Sequence, residues 1–337
     1  MTRIRTYVVL GAVVLLGSGL LLNSGSAAAR DVLSYISQVG KEGPTSLTLM
    51  NTDGEVRRSL LIPDLKRLVS VTWSPDGHSF ACSSDRGGNF DIYVMDVRTN
   101  EHRQLTFDGS RDSEPAWSPN GKWIAFVSER AGGRDIYRMD ANGEDVMQLT
   151  DQVHCKSPTW SPDSRWIAFT SAPEKERYFL FVMSAAGKRL RQLAKDIPLP
   201  GCTWSPDGKQ IAFVSRGAER KMEIFSINVN GRQLRQLTWS VRDAFIFEPT
   251  WSPSGKWIAY TSWEIPVGLV GPRVLVQVGI PGISVVDAVD GGRGRPIEST
   301  SGSMPHSISW APDGFFDVSP SAEKQTTVWG KLKQLGK

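Results

Sequence analysis

Cysteine and histidine are scarce in this chain: three Cys and four His among 337 residues. Three cysteines cannot all pair, and the spacing of Cys82, Cys155 and Cys202 fits no zinc pattern, so stability must come from a packed core. Excess charge of either sign is also missing. The net charge is +4, without the clustered basic face that a dedicated nucleic-acid binder needs. Charged residues make up 22% and the mean hydropathy is −0.25, which excludes both a polytopic membrane protein and a disordered chain. No Gly-x-Ser-x-Gly elbow occurs, and only about 23 residues follow Gly314, so an α/β-hydrolase sheet is not expected.

One apolar run stands out, at the N-terminus. Arg3 and Arg5 precede a sixteen-residue apolar core from Tyr7 to Leu22, and Ser26-Ala27-Ala28-Ala29 offers an A-x-A type cleavage site. Residues 1–29 therefore read as a secretory signal, with Arg30 or a near neighbour as the mature N-terminus. Sixteen residues with three interior glycines are short for a ~30 Å hydrocarbon core, which disfavours a retained anchor. No Cys follows the apolar core, as a lipoprotein would require. Removal of Arg3 and Arg5 would leave the mature chain at +2.

What the chain has in abundance is Trp, twelve in all, and its placement is periodic. Trp73-Ser74-Pro75-Asp76-Gly77 recurs with minor changes at Trp117, Trp160, Trp204, Trp251 and Trp310, at steps of 44, 43, 44, 47 and 59 residues. Each of the first five copies leads into a short apolar run such as Ile124-Ala125-Phe126. An alternating strand such as Asp135-Ile136-Tyr137-Arg138-Met139-Asp140 generally follows. Four of the copies then reach an outer strand centred on Leu105, Leu149, Leu193 or Leu237. Pro presets a turn and keeps the preceding Ser extended, while Gly accepts positive φ. Four short strands per ~44 residues make a propeller blade, with the Trp wedged between neighbouring sheets.

The repeats begin and end out of phase. Three strands, Val32 to Ile36, Ser46 to Asn51 and Glu55 to Leu61, precede the first Trp motif. The sixth motif, Ser307 to Gly314, lacks the strands that should follow it. The spacing predicts an all-β, six-bladed propeller of four-stranded antiparallel blades over residues 30–314. The C-terminal strand completes the N-terminal blade in a 3+1 closure, and residues 315–337 form a tail.

These motifs resemble the WD-repeat-like propeller of the TolB family, most closely over residues 117–150, 160–172 and 204–215, and overall across about residues 31–314. The family's namesake is a periplasmic protein that links envelope partners and carries an α/β domain ahead of its propeller. Here Arg30 to Leu61 already read as blade material. The resemblance implies a periplasmic or secreted binding protein of the bacterial envelope. The same motif appears in propellers of prolyl oligopeptidase relatives, where a hydrolase domain follows.

In a propeller the inter-blade connections and the loops between second and third strands crowd one end of the central channel. That mouth should receive Arg67, Asp112, Glu114, His154, Lys156, Glu248 and His306, a mixed polar set suited to a protein, peptide or glycan; a plain solvated rim is the alternative. His154 and His306 lack obvious carboxylate neighbours for a metal, and no cofactor or metal is expected. Cys155 and Cys202 both precede inner strands of adjacent blades, which leaves a disulfide open, whereas Cys82 reads as a buried thiol. The repeated Ser84-Asp85-Arg86 and Ser128-Glu129-Arg130 read as ties between loops.

The sequence abandons its period once. Ala125 to Ile136 spans 11 residues, but the corresponding Ala259 to Ile283 spans 24, and the extra residues fall within Trp263 to Pro281. Trp263, Leu269, Val274 and Val276 make this a partner-loop candidate; a plug or an alternative third strand would also accommodate it. The expected function is an exported, non-enzymatic, monomeric binding module with no membrane span after cleavage. The alternative is a hydrolase or lyase at the mouth, which requires Glu114, Glu248, His154 or His306 to converge.

Overall fold

Each of the first five Trp-Ser-Pro runs closes a tight hairpin whose polar residues satisfy its own backbone. The Ser74 hydroxyl donates to Asp76 Oδ1 (2.6 Å), Asp76 Oδ1 accepts from the His78 amide (3.0 Å), and Ser74 Oγ accepts from the Ser79 amide (3.0 Å). The Ser161–Asp163 and Ser205–Asp207 pairs repeat the arrangement at 2.5 and 2.6 Å, and Asn120 replaces the aspartate at 2.8 Å. The fifth turn residue is left-handed, with φ +69° at Gly77 and +75° at Gly255, and Ser164 adopts +59° in the same place.

The computed structural model describes residues 31–38, 45–62, 65, 67–151, 154–174, 177–217, 221–240, 244–264, 281–299 and 306–312. The expected signal (residues 1–29), the tail (315–337) and Leu269, Val274 and Val276 lie outside the described residues. Six four-stranded antiparallel sheets form the molecule, and no helix occurs among the described residues. Blade I comprises β1 (Val32–Gln38), β2 (Thr45–Asn51) and β3 (Val56–Ile62). Blade II comprises β4 (Val69–Trp73), β5 (Ser79–Ser84), β6 (Asp91–Asp96) and β7 (His102–Gln104). Blade III comprises β8 (Asp112–Trp117), β9 (Trp123–Ser128), β10 (Asp135–Asp140) and β11 (Met147–Gln148). Blade IV comprises β12 (Cys155–Trp160), β13 (Trp166–Glu174), β14 (Arg177–Ser184) and β15 (Arg191–Ile197). Blade V comprises β16 (Cys202–Trp204), β17 (Gln210–Arg216), β18 (Met222–Asn228) and β19 (Arg235–Gln236). Blade VI comprises β20 (Ala244–Trp251), β21 (Trp257–Glu264), β22 (Pro281–Asp287) and β23 (Arg295–Ser299).

The last strand, β24 (His306–Trp310), pairs antiparallel with β1 through Leu33–Trp310, Ser34–Ser309 and Ile36–His306, and becomes the inner strand of blade I. The inner strands touch in sequence, β4 to β8, β12, β16, β20 and β24, and β24 meets β4 again, so the ring is closed. The six-bladed propeller and its 3+1 closure follow the repeat phase read from the sequence.

The core lies between blades rather than within one. One layer joins Ala125, Ile136 and Leu149 of blade III to Trp160, Ile167, Phe169 and Met183 of blade IV, and the other seams repeat the pattern. Phe126, Phe169 and Phe213 are almost fully buried, and each stabilises the fold by about 2–3 kcal/mol on burial. The Trp73 indole donates to the Ser34 hydroxyl across the seam (2.9 Å), and the other five motif indoles find backbone acceptors. Trp160, Trp204 and Trp310 donate across the seam to the carbonyls of Ala116, Thr159 and Thr250 (2.9, 3.2 and 3.0 Å). Trp117 and Trp251 donate to Gly121 and Gly255 of their own turns, and are only half-buried.

The Asp-Ile-Tyr and Leu-Thr motifs meet as a clasp. Thr150 Oγ1 accepts from the Ile136 amide (2.9 Å) and donates to Asp135 Oδ1 (2.9 Å), and Thr106 repeats this with Ile92 and Asp91. The two charged repeats serve as ties. Arg130 bonds Asp108 (2.7 Å) and Asp112 (3.0 Å) and lies over the Tyr137 ring, while Arg67 bonds Asp85 (3.2 Å). All three cysteines are buried and none is in a disulfide. Burial pushes the Cys155 thiol up to about 11 and that of Cys202 up to about 12.

Candidate functional site: the central channel

A regular irregularity shapes the channel wall. The residue three before each motif Trp is left-handed: Ser70 (+54°), Glu114 (+53°), Ser157 (+51°), Gly201 (+124°), Glu248 (+50°) and Ser307 (+51°). The pairing register of the inner strand shifts at this point in blades II, III, IV and VI. Such a bulge costs a non-glycine residue about 1 kcal/mol or more and re-aims the neighbouring side chains.

Side chains from the preceding blade hold several bulges in place. Glu114 Oε2 accepts from the Ser157 amide (2.6 Å) and hydroxyl (3.3 Å), and Glu248 Oε2 accepts from the Ser307 amide (3.0 Å). The Glu114 amide in turn donates to Ser83 Oγ (3.2 Å). Glu114 in blade III and Glu248 in blade VI occupy equivalent positions three blades apart, on opposite walls of the ring.

The six inner strands enclose a channel of about 660 Å³. Its lining includes Glu114, Lys156 and Glu248 among Pro115, Pro158, Pro200, Pro249, Leu199 and Phe247. Lys156 Nζ lies 5.8 Å from the Tyr178 ring centre. The Glu248 carboxyl is open to the lumen yet encircled by the ring. Desolvation is the largest influence on it and raises its pKa, Glu114 across the channel adds to the rise, and the Ser307 and Ile308 amides oppose it.

The structure thus brings three of the seven expected mouth residues, Glu114, Lys156 and Glu248, to one lumen. Arg67 is spent on Asp85 and on the Phe90 ring (5.4 Å). Asp112 is fully buried under Arg130 in the wall between blades, where desolvation raises its pKa. His154 is exposed on its connection, outside the channel lining. His306 begins β24, so its backbone reaches the same end of the ring. Trp263 pairs with Pro281 at the end of the β21–β22 ladder, so both ends of the expected insertion belong to strands of blade VI, and residues 265–280 lie outside the described residues. Among the described residues no three His, Cys, Asp or Glu cluster closely enough to hold a metal.

Sequence reasoning missed the bulge residues Ser70, Ser157, Gly201 and Ser307, and the prolines that follow three of the six bulge positions. Their signal was available in the alignment of the repeats, where the third residue before each Trp is Ser, Glu or Gly. Phe245 and Phe247 were also missed. Their rings stack at 6.2 Å, and Phe247 lines the channel while Phe245 is exposed, its backbone opposite Trp263 in the ladder.

The geometry agrees with comparisons to known proteins. TolB from Acinetobacter baumannii superposes with a TM-score of 0.65 at 23% identity, covering 84% of this chain and 67% of that one. A putative TolB from Agrobacterium tumefaciens gives 0.60 at 18% identity, covering 85% of this chain and 100% of that one. A chain of Kuenenia stuttgartiensis hydrazine synthase gives 0.63 at 12% identity, covering 85% and 47%. Likeness at these identities shows the fold alone. A sequence profile described as the TolB beta propeller domain matches residues 65–152 and 149–266, more than half of the chain, and the chain belongs to that family.

Proposed function

We propose that this protein is an exported, non-enzymatic binding module that receives a segment of a protein or peptide partner at its channel mouth. In this reading residues 30–314 form the binding domain, residues 1–29 are a removable leader and residues 315–337 a tail, and the module works as a single copy in the periplasm or outside the cell. The carrying observation is the channel of about 660 Å³, whose lining among the described residues combines prolines, Leu199 and Phe247 with Ser and Thr hydroxyls and three charged side chains. Such a surface suits a peptide chain better than a heavily hydroxylated glycan. Both lumen carboxylates already accept amide hydrogen bonds from the next blade, which favours binding over acid–base catalysis.

The insertion tests the reading. Residues 265–280 would be replaced by a short Gly-Ser link joining β21 to β22, and the two proteins used as bait in envelope extract. The expected outcome is a nearly unchanged melting temperature with partner capture at least tenfold weaker, about 1.4 kcal/mol. A variant that melts much lower while capturing its partner as before would place the loop in the core and overturn the proposal.

A further inference from the structure

At the end of the ring opposite the mouth, neighbouring blades are joined by a recurring arginine clasp. Arg103 donates to the Asn142 (2.6 Å) and Ala141 (3.3 Å) carbonyls of the next blade's turn. Arg235 does so to Asp290 (3.4 Å), and Arg295 to Thr52 (2.9 Å). In blade III, Met147 occupies the outer-strand position, and Arg138 on the neighbouring strand takes over, stacking 4.0 Å over Trp123 and donating to the Ala185 carbonyl (2.7 Å).

The seam between blades IV and V lacks this bond. Arg191 pairs with Val182 in the register that pairs Arg103 with Val94, yet its guanidinium only lies 5.7 Å from the Trp166 ring and finds no acceptor among the described residues. The turn it should reach, at Val229, stands further off. A Cβ added at Gly143, Gly187, Gly291 or Gly54 would lie 2.6–3.0 Å from a carbonyl oxygen of the preceding blade's outer strand. At Gly231 it would meet nothing nearer than a Leu193 methyl at 3.9 Å. Between the two blades is a cavity of about 310 Å³ walled by Arg191, Trp166, Val182, Trp204 and Val229, with Asp163 and Asp207 at its rim. Val94 of blade II stands at the position of Val182, so the difference lies in the outer strand: β15 shifts register twice against β14, whereas β7 pairs with β6 in a single register.

We propose that this slot is a second binding site, which takes a neutral peptide segment of a partner protein. A backbone carbonyl of the segment accepts from Arg191, replacing the missing turn carbonyl. A branched aliphatic side chain fills the space between Trp166, Val182, Val229 and Trp204. The clasp's acceptor is a neutral backbone carbonyl at every other seam described above, and the two aspartates at the rim oppose an anionic ligand.

The test uses the full chain with 15N-labelled Trp indoles and N-acetyl-leucinamide as the probe. Saturable millimolar shifts of the Trp166 and Trp204 indole resonances are expected, with binding at least fivefold weaker in Arg191→Ala. Val182→Arg, which installs the blade III solution, should abolish binding without lowering the melting temperature. Because Arg191 is exposed, its variant keeps the test meaningful if the second one folds poorly. Absence of a saturable shift, equal binding by Arg191→Ala, or tighter binding of the carboxylate N-acetyl-leucine would overturn the proposal. Binding that appears only after residues 313–337 are removed would make the chain's own tail the occupant, and would also overturn it.

Discussion

Not all motif tryptophans carry equal weight. Trp160 is buried and bridges two blades through its indole, whereas Trp117 is half-buried and bonds only its own turn. Trp160→Ala should cost about 3–5 kcal/mol in chemical denaturation, and Trp117→Ala clearly less. The Thr150 hydroxyl serves two partners at once, so Thr150→Val strands the buried Ile136 amide and should cost about 2 kcal/mol in the same measurement. Glu248 has a raised pKa, so its folded form holds a proton more firmly than its unfolded form. Its contribution is fully present at pH values below the unfolded carboxyl pKa of about 4.3 and is lost as pH rises through the folded value. Glu248→Gln can still accept from the Ser307 amide, so it should stabilise the protein near pH 7 and make little difference near pH 4. Urea unfolding at the two pH values checks this, and a variant equally altered at both would refute the desolvation argument.

At the scale of the element, the blade-to-blade contacts predict different tolerance at equivalent turns. Gly187→Ala should be severely destabilising, because the added methyl would meet the Leu149 carbonyl oxygen at 2.8 Å. Gly231→Ala meets only a Leu193 methyl at an ordinary 3.9 Å and costs no more than its positive φ, about 1 kcal/mol. Comparing the two midpoints in urea separates these cases. The contrast also shows what the sequence could reveal. Repetition made the strands, their turns and the closing strand legible, since Trp, Pro and Gly mark backbone geometry directly. Which side chains reach the lumen was legible only for Glu114, Lys156 and Glu248. Asp112 sits two residues before Glu114 and would share its face in a regular strand. The bulge at Glu114 itself breaks that alternation, and no single residue type announces it. The open seam at Arg191 was hidden for a related reason, because the difference lies in the shifted register of β15 against β14, which no single residue type marks.

At the scale of the whole molecule, the ring depends on its last strand. Removing residues from Ser307 onward should leave β1 and the neighbouring inner strands uncovered, giving aggregation or loss of a cooperative melt. Unchanged thermal unfolding of that truncation would contradict the role of β24.

The closing pair has a mechanical consequence. Leu33 lies opposite Trp310, and the Ala311 amide donates to the Val32 carbonyl (2.8 Å), so the chain enters and leaves the ring side by side. Force applied between residues 31 and 312 would therefore load the β1–β24 ladder from one end, parting its hydrogen bonds one at a time rather than shearing them together. A ring that resists heat through six buried seams should open under modest tension, like a zip pulled from its slider, with the other five blades still folded when the first gives way.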